Sequence, residues 1–268
     1  MNSPSLRPPG PPGGFFPKTM IEVRNLSKVF PDGTQALSGA SVSIPKGDFV
    51  AIIGLSGAGK STFLRTLNRL VEPTAGEVWV GGVEVTRLSR KELQAFRRKV
   101  GFIFQQFNLV QRLTVLDNVL HGRLGYLPTW KGLLGLYREE DTAIALEQIK
   151  RVGLQGKERA RADQLSGGQQ QRVAIARALA QEPELILADE PMASLDPRLS
   201  DVILGILKEY NEEKGVTVLV NIHVLELARR YARRILAFNK GRLVFDGPVE
   251  ALTPEVERQV YSGNLEAL

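Results

Sequence analysis

The sequence predicts an α/β protein built around a phosphate-binding core, with a helical subdomain inserted into it. Three observations carry that prediction. Strand-like and helix-like segments alternate through most of the 268 residues. An apolar strand, a glycine-rich loop and a helix follow one another over 49–70. Between about Leu109 and Gln164 the alternation lapses and helical periodicity takes over.

The elements read as follows. "IEVRNLSKVF" (21–30) and "ASVSI" (40–44) alternate apolar and polar residues, as half-buried antiparallel strands do. "FVAIIG" (49–54) is continuously apolar and suits a central parallel strand, and "KSTFLRTLNRL" (60–70) has apolar residues at helical spacing. "EVWVGGVEV" (77–85) is two strand halves around Gly81-Gly82, a hairpin signal. "VGFIFQ" (100–105) is another strand. In the helical insertion, "TVLDNVL" (114–120) opens on a Thr-x-x-Asp cap pattern and "REEDTAIALEQIKRVGL" (138–154) follows with helical periodicity. Strand–helix alternation then resumes: "ELILAD" (184–189), a helix over 198–213, "VTVLVNIH" (216–223), a helix over 225–233, and "RILAFNKGRLVFDG" (234–247), a hairpin turning at Lys240-Gly241.

Hydrophobic residues make up 43% and charged residues 24%, the balance of a globular protein with a sizeable core. No run approaches 18 apolar residues, so a membrane role is expected to come through a partner. Cysteine is absent, which excludes disulfides and thiolate metal sites and suits a cytosolic location. The net charge of +6 reads as a solvated basic surface; no nucleic-acid-binding signature accompanies it, and no nucleic-acid partner is expected. Residues 1–19 are rich in Pro and Gly and lack the apolar core of a secretion signal. They read as a flexible leader, with the compact protein beginning near Met20.

"GLSGAGKS" (54–61) fits G-x-x-x-x-G-K-[ST] and has the strand before and the helix after that the motif needs. Glycines let successive backbone N–H groups turn inward on phosphate oxygens, and the helix N-terminus adds partial positive charge. Gly54, Leu55, Ser56, Gly57, Ala58, Gly59, Lys60, Ser61 and Thr62 are therefore candidates for ATP binding. Lys60 is suited to the β- and γ-phosphates and Ser61 to Mg²⁺. "LILADE" (185–190) sets two carboxylates at the end of a buried strand, where open parallel sheets place ligand sites. Asp189 is the candidate for holding Mg²⁺, through water, and Glu190 for orienting or deprotonating the attacking water.

His223 ends the apolar run "VTVLVNI", expected beside the Asp189 strand, which would bring its ring near the γ-phosphate. His121 has no such context and reads as structural. Gln105 leaves the strand "VGFIF"; it is either an ordinary polar residue or a carboxamide contacting Mg²⁺ and the water, and the sequence does not choose. "LSGGQ" (165–169) precedes the helical "QQRVAIARALA". Ser166, Gly167, Gly168 and Gln169 would form a second phosphate-facing helix start. A second cradle distant from the first must serve another nucleotide. Two head-to-tail copies, each closing over the ATP held by its partner, satisfy that with two equivalent composite sites.

The ordered set "GLSGAGKS", Gln105, "LSGGQ", "LILADE", "SLD" (194–196) and His223 resembles the ATPase subunit of an ATP-binding cassette (ABC) transporter, over essentially Met20 to Gly263. The resemblance implies a P-loop core with an antiparallel β subdomain and a helical subdomain. It further implies that Phe30 stacks on adenine, that Asp196 communicates between the two sites of a homodimer, and that Gln105 begins the loop that senses transmembrane permease subunits. "FIFQQFNLVQRLTVLDNVLHGRLG" (102–125), the insertion "TWKGLLGLY" (129–137), "RADQLSGGQQQRVAIARALAQEP" (161–183), "NIH" and "FDGP" are similar to the phosphonate-import branch. That branch implies a peripheral ATPase at the cytoplasmic face of the cell membrane, with an extracytoplasmic solute-binding protein choosing the cargo. "TWKGLLGLY" equally fits an amphipathic surface element. Val224-Leu225 departs from the polar residue expected after the histidine. The rivals are an ABC ATPase for another solute, one acting on nucleic acid, and a non-catalytic nucleotide-dependent scaffold. The nucleic-acid type usually carries paired cassettes, coiled-coil arms or zinc-binding cysteines, and none is present here.

Overall fold

The computed structural model describes residues 19–192 and 196–261. The leader over 1–18 and two residues of "SLD", Ser194 and Leu195, lie outside them. Strands β1 (Thr19–Val29) and β2 (Gln35–Pro45) pair antiparallel, and β1 begins at the last residue of the segment read as a leader. Strand β3 (Phe49–Ile53) leads through the glycine-rich loop into helix α1 (Lys60–Leu67). Strands β4 (Ala75–Val80) and β5 (Val83–Glu84) form the expected hairpin, with Gly81 and Gly82 both at positive φ.

Helix α2 (Arg90–Arg97) was not anticipated from apolar periodicity, because none of its residues is buried. Its readable signal was a cap: Ser89 and Glu92 satisfy each other's backbone N–H. Strand β6 (Val100–Ile103) follows. No extended strand forms over 109–164; helices α3 (Val115–Leu120), α4 (Thr129–Leu133) and α5 (Glu139–Arg151) lie there, and the Asp117 N–H donates to Thr114 Oγ1 as the cap pattern predicts.

Helix α6 (Gly167–Leu179), strand β7 (Leu185–Ala188), helix α7 (Pro197–Lys214) and strand β8 (Thr217–Asn221) complete the return to alternation. They are followed by helix α8 (Leu225–Tyr231), strands β9 (Arg234–Asn239) and β10 (Arg242–Pro248), and helix α9 (Pro254–Tyr261). Helix α8 stops two residues short of its expected end, and α9 was not anticipated.

The strands make two sheets, one ordered β2-β1-β4-β5 and antiparallel, the other ordered β10-β9-β3-β8-β7-β6. In the second, β6, β7, β8, β3 and β9 run parallel and β10 closes the edge antiparallel. Strand β3 shows why its sequence is apolar throughout. Phe49, Ala51 and Ile53 face a core shared with α6 and α7, while Val50 and Ile52 face a core shared with α1 and the antiparallel sheet. All five are fully buried. Each large side chain so placed stabilises the fold by roughly 1.5–3 kcal/mol.

The insertion at 129–137 is not packed like this. Trp130 is 58% and Leu133 86% exposed, with Leu134 and Leu136 also on the surface. No helix among the described residues is long and apolar enough to cross a membrane.

Candidate nucleotide site

Strands β3, β8 and β7 are neighbours and parallel, so their carboxyl ends deliver residues to one place. The glycine-rich loop leaves β3, the carboxylates Asp189 and Glu190 leave β7, and His223 lies just past β8.

Two of the loop's glycines, Gly54 and Gly59, are sterically required. A Cβ on Gly54 would stand 2.2 Å from the Phe238 carbonyl oxygen, and one on Gly59 2.4 Å from that of Ala36. Both also sit at positive φ, 140° and 100°. Gly59 is the N-cap of α1, which starts at Lys60. The Ala58 carbonyl accepts from the Gly241 N–H at 3.0 Å, tying the loop to the β9–β10 turn. Leu55 is half-buried, whereas Ser56 and Gly57 are exposed at the tip; Ser61 and Thr62 are half-buried in the first turn of the helix.

Lys60 is only 4% exposed. Its Nζ donates to the carbonyls of Gly54 and Leu55, each at 2.9 Å, so the ammonium folds back into its own loop. Burial lowers its pKa from the usual lysine range, and the charges of Glu190 and Asp189 pull the other way.

Asp189 is 1% exposed and both of its oxygens are engaged. Arg65 donates to Oδ2 from Nε at 3.1 Å and lies 2.9 Å away through Nη2. Asn221 donates from Nδ2 to Oδ1 at 2.7 Å, and the same nitrogen stands 3.5 Å from Ser61 Oγ. The next residue, Glu190, has φ of 51°, a left-handed conformation that costs a non-glycine residue on the order of 1 kcal/mol or more. That turn sends the Glu190 carboxylate towards His223, whose Nε2 lies 2.7 Å from Glu190 Oε1.

Gln105 is exposed two residues past β6. Phe30 is half-buried at the β1–β2 turn, with Lys28 Nζ 5.1 Å from its ring centroid. Ser166 caps α6: its Oγ accepts from the Gln169 N–H, and Gln169 Oε1 accepts from the Ser166 N–H. Gly167 is exposed and Gly168 buried; Cβ atoms there would meet Phe107 and Leu199 side chains, not the loop over 54–61. Asp196 is the N-cap of α7, its Oδ1 accepting from the N–H groups of Arg198 and Leu199. That capping task was not anticipated for it.

Two residues at the site were missed from sequence. Arg65 lies four residues after Ser61 on α1, hence on the same helix face. Asn221 is a polar residue closing the apolar run Val218–Val220. Each position carried a signal once the neighbouring motif was placed.

Hard oxygen donors (the Ser61 hydroxyl and the Asp189 carboxylate) suit Mg²⁺, which binds through few protein groups and keeps several waters. A strand-to-loop-to-helix phosphate cradle with carboxylates on a neighbouring parallel strand defines a P-loop nucleotide hydrolase. Residues 37–193 match the family described as ABC transporter. The chain is 54% identical over 242 residues to a phosphonates import ATP-binding protein PhnC of Bacillus thuringiensis subsp. konkukian (strain 97-27), covering 90% of this chain and 94% of that protein. It is 51% identical to PhnC 2 of Halalkalibacterium halodurans, covering 90% and 99% respectively.

Among solved structures, the dimeric ATP-binding cassette MJ0796, in a post-hydrolysis state bound to ADP and Pi, superposes with a TM-score of 0.75 at 40% identity. The alignment covers 86% of this chain and 99% of that one. The protein cbiO1 from Clostridium perfringens, part of the ABC transporter complex cbiONQ, gives 0.78 at 27% identity, covering 92% and 95%. The chain belongs to the ABC transporter family and is one of its ATPase cassettes.

Proposed function

We propose that this ATPase energises import of a phosphonate or a related phosphorus oxyanion through separate permease subunits, at the cytoplasmic face of the cell membrane. The observation that carries the catalytic half is the convergence of Lys60, Asp189, Glu190 and His223 at the carboxyl ends of β3, β7 and β8. The cargo half is supported by relatives of more than half identity that are named for phosphonate import.

The residues divide the work as follows. Backbone N–H groups over 54–62 and the start of α1 cradle the phosphates of ATP, and Lys60 leaves its own loop carbonyls to donate to the β- and γ-phosphates. Ser61 and Asp189 would hold Mg²⁺, and Gln105 would join them when its loop is placed. Bound Mg²⁺ supplies charge neutralisation on the phosphate oxygens during transfer. Glu190 orients the attacking water and accepts its proton. His223 holds that carboxylate in place and reaches the γ-phosphate. Phe30 provides the stacking face for adenine.

Residues 109–164 act as a helical subdomain, and residues 166–169 of one copy close over the ATP of its partner in a homodimer. Asp196 lies beside that interface and links the two sites. Through Gln105 the closure is passed to the permease, while an extracytoplasmic solute-binding protein selects the cargo.

The test is phosphate release from Mg-ATP by the purified chain, alone and with its permease. Binding measurements of phosphonate, phosphite and phosphate on the solute-binding partner follow. A wild-type protein that binds Mg-ATP but never releases phosphate, even with the permease, makes it a scaffold. A solute-binding partner indifferent to phosphorus oxyanions removes the cargo half alone.

A further inference from the structure

Asn221 is fully buried at the end of β8, between the loop helix and the carboxylate strand. Its Nδ2 donates to Asp189 Oδ1 at 2.7 Å and lies 3.5 Å from Ser61 Oγ. Its own Oδ1 is buried and has no hydrogen-bond partner. Leaving a buried carbonyl unsatisfied costs about 1–3 kcal/mol, and an apolar residue of similar size would avoid that cost. A purely structural staple between β7 and β8 accounts for the nitrogen but leaves the oxygen unexplained.

The surroundings suggest what the oxygen is for. Arg65 holds Asp189 by Oδ2, so the two donors on the two oxygens fix the plane of the carboxylate. Oδ1 is the oxygen held by the same amide that approaches Ser61. Mg²⁺ retains several of its waters when protein-bound, and towards protein those waters are donors. Asn221 Oδ1 is a buried acceptor on the amide whose nitrogen contacts Asp189 and stands 3.5 Å from Ser61 Oγ, and it is the kind of group such a water needs.

We propose that Asn221 is a positioning residue of the magnesium site: its amide nitrogen sets the orientation of Asp189, and its carbonyl accepts a hydrogen bond from water in the ion's hydration shell. The proposal rests on the Mg-ATP reading of the site. It makes Asn221 a determinant of how much Mg²⁺ the protein needs, not of whether nucleotide enters the cradle.

The test uses Asn221→Val and Asn221→Thr, which have nearly the same shape and differ by a hydroxyl that both donates and accepts. A fluorescent ATP analogue is titrated onto the full-length wild type and each variant, from chelated Mg²⁺ to millimolar Mg²⁺. Asn221→Val raises the half-saturating Mg²⁺ about tenfold, the loss of roughly one hydrogen bond, while its metal-free affinity stays within about twofold of wild type. Asn221→Thr recovers most of the Mg²⁺ response.

Equal Mg²⁺ titrations for the two variants overturn the proposal. So does an Asn221→Val protein that loses metal-free and Mg²⁺-dependent binding by the same factor, since a structural staple predicts that. If Asn221→Val does not melt cooperatively, Asn221→Thr against wild type carries the test, and a Thr variant no better than a metal-blind protein rejects the idea. A wild type whose analogue binding ignores Mg²⁺ defeats the nucleotide-site reading itself, and the proposal with it.

Discussion

His223 Nε2 lies 2.7 Å from Glu190 Oε1, across two adjacent parallel strands. Glu190 holds this position from a left-handed backbone turn at φ 51°. A strained residue whose side chain ends on a histidine, beside a phosphate loop, is arranged for chemistry more than for packing. Replacing Glu190 with Gln keeps the shape and removes the proposed base. We predict a fall in ATP turnover of about 10²–10⁴-fold, with nucleotide affinity nearly unchanged and a closed dimer accumulating on ATP. His223→Ala should lose turnover too, and the double variant should lose far less than the product of the two, because the pair acts as one unit. Rates near wild type for Glu190→Gln would remove it as the base.

Lys60 donates to two carbonyls of its own loop. Exchanging those neutral acceptors for phosphate pairs the ammonium with an anionic acceptor, the stronger kind of charge-assisted bond. Lys60→Ala should therefore weaken ATP binding by about 1.5–3 kcal/mol, on the order of ten- to a hundredfold. Fluorescent-nucleotide titration reads this directly. Thermal melting with and without nucleotide checks it, since bound ligand raises the melting temperature only if it binds. An unchanged affinity contradicts the role given to Lys60.

The capped start of α6 at Ser166 lies against Phe107 and Leu199 instead of the protein's own phosphate loop. If a second copy supplies the missing cover, a Lys60→Ala chain mixed with a Ser166→Arg chain forms a dimer with one intact composite site. Nucleotide trapping should then appear in the mixture and be absent from each variant alone. Trapping absent from the mixture, with both chains folded and the wild type trapping normally, argues against sharing between copies.

How much of this was legible depended on what each residue had to satisfy. The loop over 54–61 was readable because Gly54 and Gly59 answer to backbone clashes with Phe238 and Ala36, which no other residue type relieves. The apolar strands were readable because β3 is covered on both faces. Helix α2 escaped notice because it buries nothing, and its only mark was the Ser89–Glu92 cap. Arg65 and Asn221 escaped because their meaning is three-dimensional: each matters through Asp189, more than a hundred residues away for Arg65 and about thirty for Asn221. The motif around Asp196 points to signalling between sites, while its local work as the cap of α7 is marked by the Asp-Pro start of that helix.

A buried ionic cluster pins the helical region to the core and predicts acid sensitivity. Arg123, 4% exposed, donates to Asp141 Oδ1 at 2.9 Å, to the Ala180 carbonyl at 3.0 Å and to Glu182 Oε2 at 2.9 Å. Arg138 donates to the same Asp141 carboxylate. Hydrogen bonding from Arg138, aided by Arg123 against the opposing effect of burial, holds the Asp141 pKa down at about 2 instead of the usual 3.8. A carboxylate with a depressed folded pKa adds stability that is complete above the unfolded value. That stability is lost as pH falls towards the folded value. The contribution of Asp141 is therefore full at neutral pH and fades between about pH 4 and pH 2. Asp141→Asn removes the buried one of the two carboxylates paired with Arg123 and leaves only the exposed Glu182 beside it; breaking a buried pair in this way costs up to about 3–5 kcal/mol. The variant should melt well below wild type at pH 7, and the gap should narrow as both are titrated through that acid window. A melting difference that stays constant from pH 7 down to the acid limit of folding would mean the cluster is held by packing and not by charge.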